Sequence, residues 1–327
     1  MIVRWGFAAL PEAVVAAGVS KPFVVASPRW DGLDLPLEPA ARWSEVPSDR
    51  IGEAAGAAVG ADGVLALGGG SAIDLGKAIS AATELPLVSV PTTYSGAEWT
   101  AYFGVRDPER RMRGGGRGAR PTAIVYEPEL TLELPLEPTV GTALNALAHC
   151  AEALYAAGRN AAADEEALAG ARLISEWLPR VVASPRDREA RTELLRGACY
   201  GGAALAGAML ALAHALAQAV GGRYGLPHGT LNGICLPPVL RFNAAYAPDA
   251  VRRFGEAIGA DDPASRVEEL SQLGFPDLGR PPRLRDLGVP EQDLPELAAA
   301  AAERGGNQAN PHVASPEEIE PLLREAW

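Results

Sequence analysis

Three of the four histidines in this chain stand in surroundings that would bring them to one point. They lie in the segments Asn145-Ala-Leu-Ala-His149, His214-Ala-Leu-Ala-Gln218 and Leu226-Pro227-His228-Gly229. Asn145 and His149 are four residues apart, which puts both on one face of a helix. His214 belongs to a second helical stretch, and His228 follows a glycine-containing bend. Three imidazoles with one oxygen donor is the layout of a mononuclear divalent metal site. The oxygen donor here is the amide of Asn145, which offers a dipole where a carboxylate would offer charge. Without a metal, the same residues make a set of hydrogen-bonding groups able to carry protons. A single histidine on an apolar helix reads as a core residue. Three in such segments, leaving only His312 apart, read as one shared site.

These side chains need a scaffold, and the chain has two textures. Short apolar runs at Pro22–Ser27, Gly63–Leu67, Pro86–Val90 and Ala123–Tyr126 predict strands. Helical patterns near residues 10–18, 49–59 and 71–82 separate them, which predicts βαβ units and a mostly parallel sheet. From Thr139 onward the pattern is helix after helix, rich in alanine and leucine. The stretch LELPLEP (132–138) reads as an extended hinge because its two prolines resist helix. The expected organisation is an α/β domain over residues 1–138 and an all-α domain over 139–327 that carries the histidines.

Gly68-Gly69-Gly70-Ser71 follows one predicted strand and opens a helix. Glycines let the backbone approach a ligand closely, and a helix start offers N–H groups to a pyrophosphate. Ser71 would cap that helix or bond a phosphate oxygen. The segment is neither G-x-G-x-x-G nor a P-loop, since Ala78 follows Lys77 where the P-loop needs Ser or Thr. Pro91-Thr92-Thr93-Tyr94-Ser95-Gly96 follows another predicted strand, at the sheet edge where open α/β folds bind ligands. Glycine turns and polar turns are common for steric reasons alone; the pair together point to a nucleotide.

A net charge of −12 argues against nucleic acid or an anionic membrane as the main partner. Cys150, Cys199 and Cys235 are sparse and show no C-x-x-C spacing, which fits reduced thiols in a cytoplasmic protein. The N-terminal sequence has no signal-peptide pattern, and no long apolar run reads as a membrane span. The Arg110–Arg120 stretch (RRMRGGGRGAR) would suit a phosphate or an acidic substrate, but its glycine run reads first as a flexible, solvated loop.

Several ordered motifs resemble one superfamily. GGGSAIDLGKA (68–78) resembles the GGGSxxDxxK signature of the iron-containing (group III) alcohol dehydrogenases. PTTYSGAEWTAYFGV (91–105), VYEPELTLELP (125–135), NALAHCAEALYA (145–156) and ANPHVASPEEIEPLLREAW (309–327) resemble its maleylacetate reductase branch. HALAQAVGGRYGLPHG (214–229) and LPPVLRFN (236–243) extend the match. Residues 28–60 resemble the family poorly and look shortened. The resemblance implies the dehydroquinate synthase-like fold: an N-terminal dinucleotide-binding α/β domain, an all-α domain and an active site in the cleft between them. It implies that Gly69, Gly70 and Ser71 hold a pyrophosphate and that Thr92, Thr93 and Ser95 line the nucleotide. Asp74 and Lys77, three apart on the first helix of the signature, are expected to form a structural pair. Metal-dependent members use one Asp and three His, matched here by Asn145, His149, His214 and His228. The reductase branch also tends to carry Asn at the first position and is thought not to depend on a metal. Zinc or iron therefore stays an alternative, with turnover without metal the favoured reading. Gln218 stands where both branches usually have a histidine, and glutamine cannot titrate.

The function this implies is NAD(P)H-dependent reduction of an activated acidic enone or carbonyl compound, as in maleylacetate to 3-oxoadipate. His149, His214 and His228, with Asn145 beside them, would meet the charge of an enolate, and a histidine or Tyr94 would return the proton. Arg106 and Arg223 are candidates for the substrate carboxylates. Alternatives are a metal-dependent alcohol or polyol dehydrogenase, favoured by the GTLNG segment after His228, and an NAD-using lyase or cyclase of the dehydroquinate synthase type. A lapsed nucleotide-binding subunit is a further alternative, given Asn145 and Gln218. After the second strand, Ala26-Ser27-Pro28-Arg29 offers no carboxylate before Asp31, so NADP(H) would be tolerated beside NAD(H). A homodimer is expected from the resemblance.

Overall fold

The computed structural model describes residues 1–118 and 120–327. Two compact units divide the chain: residues 1–93 with 97–131, and residues 94–96 with 132–327. Apart from residues 94–96, the second unit begins at Leu132, the first residue of the LELPLEP stretch, and not at Thr139 as expected.

The first unit is built on a six-stranded parallel sheet. Its strands are β1 (Ile2–Trp5), β2 (Pro22–Val25), β3 (Ala41–Trp43), β4 (Gly63–Gly68), β5 (Leu87–Pro91) and, after a hairpin, β8 (Ala123–Tyr126). Their order across the sheet is β1-β8-β5-β4-β2-β3. Successive residues of a strand face opposite sides. Val24, Leu65, Leu67, Val88, Val90 and Val125 pack with Leu10 and Val14 of α1 (Leu10–Ala16). Phe23, Val25, Val64, Ala66 and Leu87 pack on the other side with Ala54 of α2 (Ile51–Ala57) and Ile73, Leu75 and Ile79 of α3 (Gly70–Thr83). Burial on both faces is why the central strands read as unbroken apolar runs.

Four strands differ from expectation. β1 and β3 are the short, half-buried edges of the sheet and carry no such run. The arginine- and glycine-rich stretch contains an ordered strand, β7 (Met112–Arg117), paired antiparallel with β6 (Tyr102–Arg106). All six β7 residues are exposed, so no alternation of apolar and polar positions betrays the strand. Glycine is needed where this ribbon is tight: a Cβ on Gly115 would lie 2.8 Å from the Phe103 carbonyl oxygen. Ala119 of the same stretch lies outside the described residues.

The second unit is helical: α4 (Leu136–Ala153), α5 (Ala161–Ala183), α6 (Arg188–Ala208), α7 (Leu212–Tyr224), α8 (His228–Asn243), α9 (Pro248–Ile258), α10 (Pro263–Gln272), α11 (Leu294–Ala302), α12 (Gly305–Gln308) and α13 (Pro316–Ala326). The expected extended hinge is only half realised. Pro135 is the N-cap of α4 and Pro138 sits in its first turn, where a missing N–H leaves no helix bond unmade. Fourteen of the eighteen residues of α4 are buried. α8 meets it closely: a Cβ on Gly229 would lie 2.4 Å from the Gly141 carbonyl oxygen. Among the described residues no single helix is long and apolar enough to cross a membrane.

Candidate active site

Two sets of residues are assembled, one in each unit. In the first unit the predicted nucleotide loops meet at the carboxyl ends of adjacent strands, with Gly68 paired to Pro91 in register. Thr92 N donates to Gly68 O at 3.0 Å. A Cβ on Gly69 would lie 2.9 Å from Thr93 Cγ2, so only glycine leaves that space open. Gly69 is the N-cap of α3, and no side chain caps the helix. Ser71 lies inside the first turn and does not serve as the cap. The buried Thr93 Oγ1 has no hydrogen-bond partner. An uncapped helix start, a glycine cradle and an unpartnered buried hydroxyl fit a pyrophosphate. Gly69, Gly70, Ser71, Thr92 and Thr93 are the residues that would hold it.

Asp74 and Lys77 form the expected pair, with Lys77 Nζ 2.9 Å from Asp74 Oδ1. Lys77 is 1 % exposed, and its ammonium also donates to Tyr102 O at 2.6 Å. Gly104 N donates to the other oxygen of Asp74 at 3.1 Å. The pair thus ties α3 to β6.

In the second unit the three histidines converge. The His149 and His214 rings stack with centroids 4.9 Å apart, and His214 and His228 lie 5.5 Å apart and tilted. His149 and His214 are buried, while His228, first residue of α8, is half-buried and forms the open side. Asn145 binds all around its amide. Its Nδ2 donates to Ser95 O at 2.8 Å and contacts His149 Nε2 at 3.3 Å, and its Oδ1 accepts from Asn232 Nδ2 at 2.6 Å. Asn232 Nδ2 also lies 3.0 Å from His228 Nε2. With amide N–H groups directed at their Nε2 atoms, His149 and His228 carry their ring protons on Nδ1. Gly96, at φ +72°, makes this possible for the loop: a Cβ there would press on the His149 ring at 3.2 Å.

His214 is held differently. Its Nδ1 lies 2.6 Å from Glu152 Oε2, and Glu152 also accepts backbone N–H groups from Ala211 at 2.8 Å and His214 at 3.2 Å. The Nδ1–H is thereby fixed toward Glu152, leaving the buried His214 Nε2 with no partner. Burial, then the neighbouring His214 and His228, hold the His149 pKa well below the usual histidine value, so this ring stays neutral.

The residues as placed do not fit a divalent metal. The Asn145 oxygen is turned to Asn232, and amide N–H groups occupy two of the three imidazole lone pairs. Glu152 is committed to three N–H groups. Among the described residues no group of three or more His, Cys, Asp and Glu side chains could hold a metal ion.

Other predicted residues stand elsewhere. Tyr94 is fully buried and its hydroxyl accepts from Arg191 Nη1 at 3.1 Å. Ser95 offers its carbonyl to Asn145, within the second unit. Arg223 is engaged by Asp293 at 3.2 Å and Glu296 at 2.5 Å, so its guanidinium is already neutralised. Arg106 lies on the hairpin in the first unit, where it donates to Arg110 O at 3.0 Å and burial lowers its pKa. Gln218 is half-buried on α7. Sequence reasoning missed Glu152 and Asn232. Each stood as a polar residue one helical turn from a histidine, at three residues from His149 and four from His228.

Several known proteins are similar to this chain in sequence and fold. Residues 41–128 match the family model described as iron-containing alcohol dehydrogenase, and residues 139–327 match the C-terminal model of the same family. A maleylacetate reductase of Pseudomonas knackmussii is 39% identical over 267 residues, covering 82% of this chain and 74% of the relative. One from Burkholderia cepacia is 37% identical, covering 90% and 80%. The crystal structure of maleylacetate reductase from a Rhizobium species superposes with a TM-score of 0.88 at 31% identity, covering 100% of this chain and 95% of the other. That of an iron-containing alcohol dehydrogenase from Corynebacterium glutamicum gives 0.89 at 32%, with 100% and 94% covered.

Proposed function

Because the chain belongs to the iron-containing alcohol dehydrogenase family and is an NAD(P)H-dependent oxidoreductase of its maleylacetate reductase-like branch, we propose that its substrate is maleylacetate or a similar small acidic enone, reduced without a metal. The observation that carries this reading is the histidine cluster whose His149 and His228 Nε2 atoms meet amide N–H groups, while the buried His214 Nε2, like the buried His149 Nδ1, has no partner among the described residues.

The nicotinamide supplies a hydride when bound. Addition of that hydride to the carbon–carbon double bond drives the electron pair onto the carbonyl oxygen, giving an enolate. His214, protonated at Nε2, faces the Glu152 carboxylate through its other nitrogen, so the cation is compensated inside the protein. In that form it donates to the enolate oxygen and then gives up the proton to carbon. His149 and His228 stay neutral and shape the polar wall beside it. Tyr94, tied to Arg191, is left as an anchor of the loop, and the proton comes from His214.

Both nicotinamide cofactors are expected to serve. Asp31 is the first carboxylate after β2, and it is paired with Arg42 at 2.9 Å. Arg29 lies over the Trp30 ring at 5.3 Å. A 2′-phosphate approaching that edge would meet guanidinium groups and one neutralised acid.

The test is oxidation of NADH and NADPH with maleylacetate before and after dialysis against a strong chelator, with metal content read on the same sample. Chelator-resistant turnover by metal-free protein is the expected result. Turnover that vanishes and returns with zinc or iron would sink the metal-free reading, and failure with maleylacetate alone would sink the substrate.

A further inference from the structure

We propose that Arg191 is a positioning residue for His149, acting through the Tyr94-Ser95-Gly96 segment; its kinetic consequence rests on the reductase reading above, its structural consequence does not. Arg191 lies in the first turns of α6 and is 1 % exposed. Among the described residues no carboxylate is its partner. Its Nε donates to Pro185 O at 2.8 Å, and its Nη1 donates to Tyr94 Oη and to Thr139 Oγ1, both at 3.1 Å. Its Nη2 reaches Leu134 O at 3.5 Å.

A buried charge without a counter-ion is expensive, and an apolar side chain of similar volume would fill the space at lower cost. The guanidinium supplies a rigid fork of donors that an apolar residue lacks. Here the fork gathers oxygens from the stretch before α4, from α4 itself, from the turn before α6 and from the loop at Tyr94. That loop is the point of consequence. Tyr94 N donates to Thr142 Oγ1 at 3.3 Å, Ser95 O accepts from Asn145 Nδ2 at 2.8 Å, and Gly96 lies against the His149 ring. Arg191 fixes the tyrosine, the tyrosine fixes the next carbonyl, and that carbonyl sets the rotation of the Asn145 amide. The amide in turn presents N–H to His149 Nε2. If Ser95 O moves, the Asn145 amide keeps Asn232 as a partner but loses the acceptor that sets its rotation, and the N–H it presents to His149 Nε2, the donor that selects the tautomer, shifts with it.

Two variants test this, Arg191→Met and Tyr94→Phe, the second removing a single acceptor atom from the network. Long-range proton–nitrogen spectra resolve the ring nitrogens of the four histidines, with His149 assigned by its loss in His149→Asn. His312, bound to Glu318, serves as the reference within the same sample. We expect His149 to pass from one Nδ1–H tautomer to a mixture in both variants while His312 is unchanged. We also expect kcat to fall about 10- to 100-fold with KM for the nicotinamide changed less than about twofold, the mark of misplaced chemistry. Unchanged His149 signals in folded Arg191→Met, or in Tyr94→Phe should the first variant not fold, overturn the proposal. So does a loss of turnover without a change in those signals. If maleylacetate is not the substrate, the spectra still decide the positioning role while the turnover assay is silent for every variant.

Discussion

Glu152 Oε2 lies 2.6 Å from His214 Nδ1, and the two side chains are almost completely buried. The carboxylate accepts three N–H groups, two from the backbone. Glutamine cannot replace it. If its amide nitrogen stands at the Oε1 position it faces the His214 N–H; if it stands at Oε2 it faces the Ala211 N–H and donates to the ring, moving the imidazole proton to Nε2. Glu152→Gln is therefore expected to lower kcat about 100-fold or more, the scale of a general-acid contribution, and to cost about 1–3 kcal/mol of stability from an unsatisfied donor. Steady-state kinetics and thermal unfolding measure both. A folded variant with wild-type kcat would remove His214 from the proton-transfer role.

Asn145 is a working donor in this site and not merely a lost ligand. Its Nδ2 meets a carbonyl at 2.8 Å, where an aspartate oxygen would meet repulsion. Asn145→Asp should be destabilised by about 1–3 kcal/mol without metal. It should also acquire a carboxylate beside three imidazoles, the donor set that suits zinc or iron. Added zinc is expected to raise the melting temperature of this variant by several degrees through binding to the folded state and to leave the wild type within about a degree. Equal stabilisation of both proteins would mean that the wild-type cluster already takes metal.

The signature residues Asp74 and Lys77 hold the scaffold. Removing the carboxylate leaves a buried ammonium with the Tyr102 carbonyl as its remaining hydrogen-bond partner. Asp74→Ala should cost on the order of 3 kcal/mol, read as a shift of the denaturation midpoint. Asp74→Ala with Lys77→Met should recover much of it, since the pair goes out together. A double variant less stable than the single one would show that the ammonium has a further role.

How much of this was legible depends on whether burial leaves a pattern. β2, β4, β5 and β8 are buried throughout and read as apolar runs, so the sheet centre was visible in the sequence. β3 has three residues and β7 none buried, so neither leaves a period to read. The histidine segments were visible because histidine is rare in this chain. Their supports were harder to see: Glu152 looked like one acid among many, although an acid in an alanine- and leucine-rich helix must find donors. Arg191 gave no signal, because its partners are neutral oxygens far away in the chain, among them Thr139 and Tyr94.

Glu98 gives the first unit a pH dependence of definite sign. It is 1 % exposed, Tyr126 Oη donates to its Oε1 at 2.7 Å, and its Oε2 has no partner. Burial raises its pKa above the ordinary value of 4.5, an effect that the Tyr126 hydrogen bond only partly offsets. Unfolded, the carboxyl ionises near 4.5; folded, it keeps its proton to higher pH. Between those two values the folded state binds more protons than the unfolded state, so stability falls as pH rises through the interval and the loss is complete above the folded pKa. Glu98→Gln keeps an oxygen for Tyr126 and carries no charge to desolvate. It should melt a few degrees above wild type at about pH 8, and the gap should close as pH falls toward about 4.5. Calorimetric scans of the two proteins across that range decide the matter. A constant gap would show that Glu98 ionises in the folded protein as it does in the unfolded chain, and one that widens in acid would show that folding lowers its pKa.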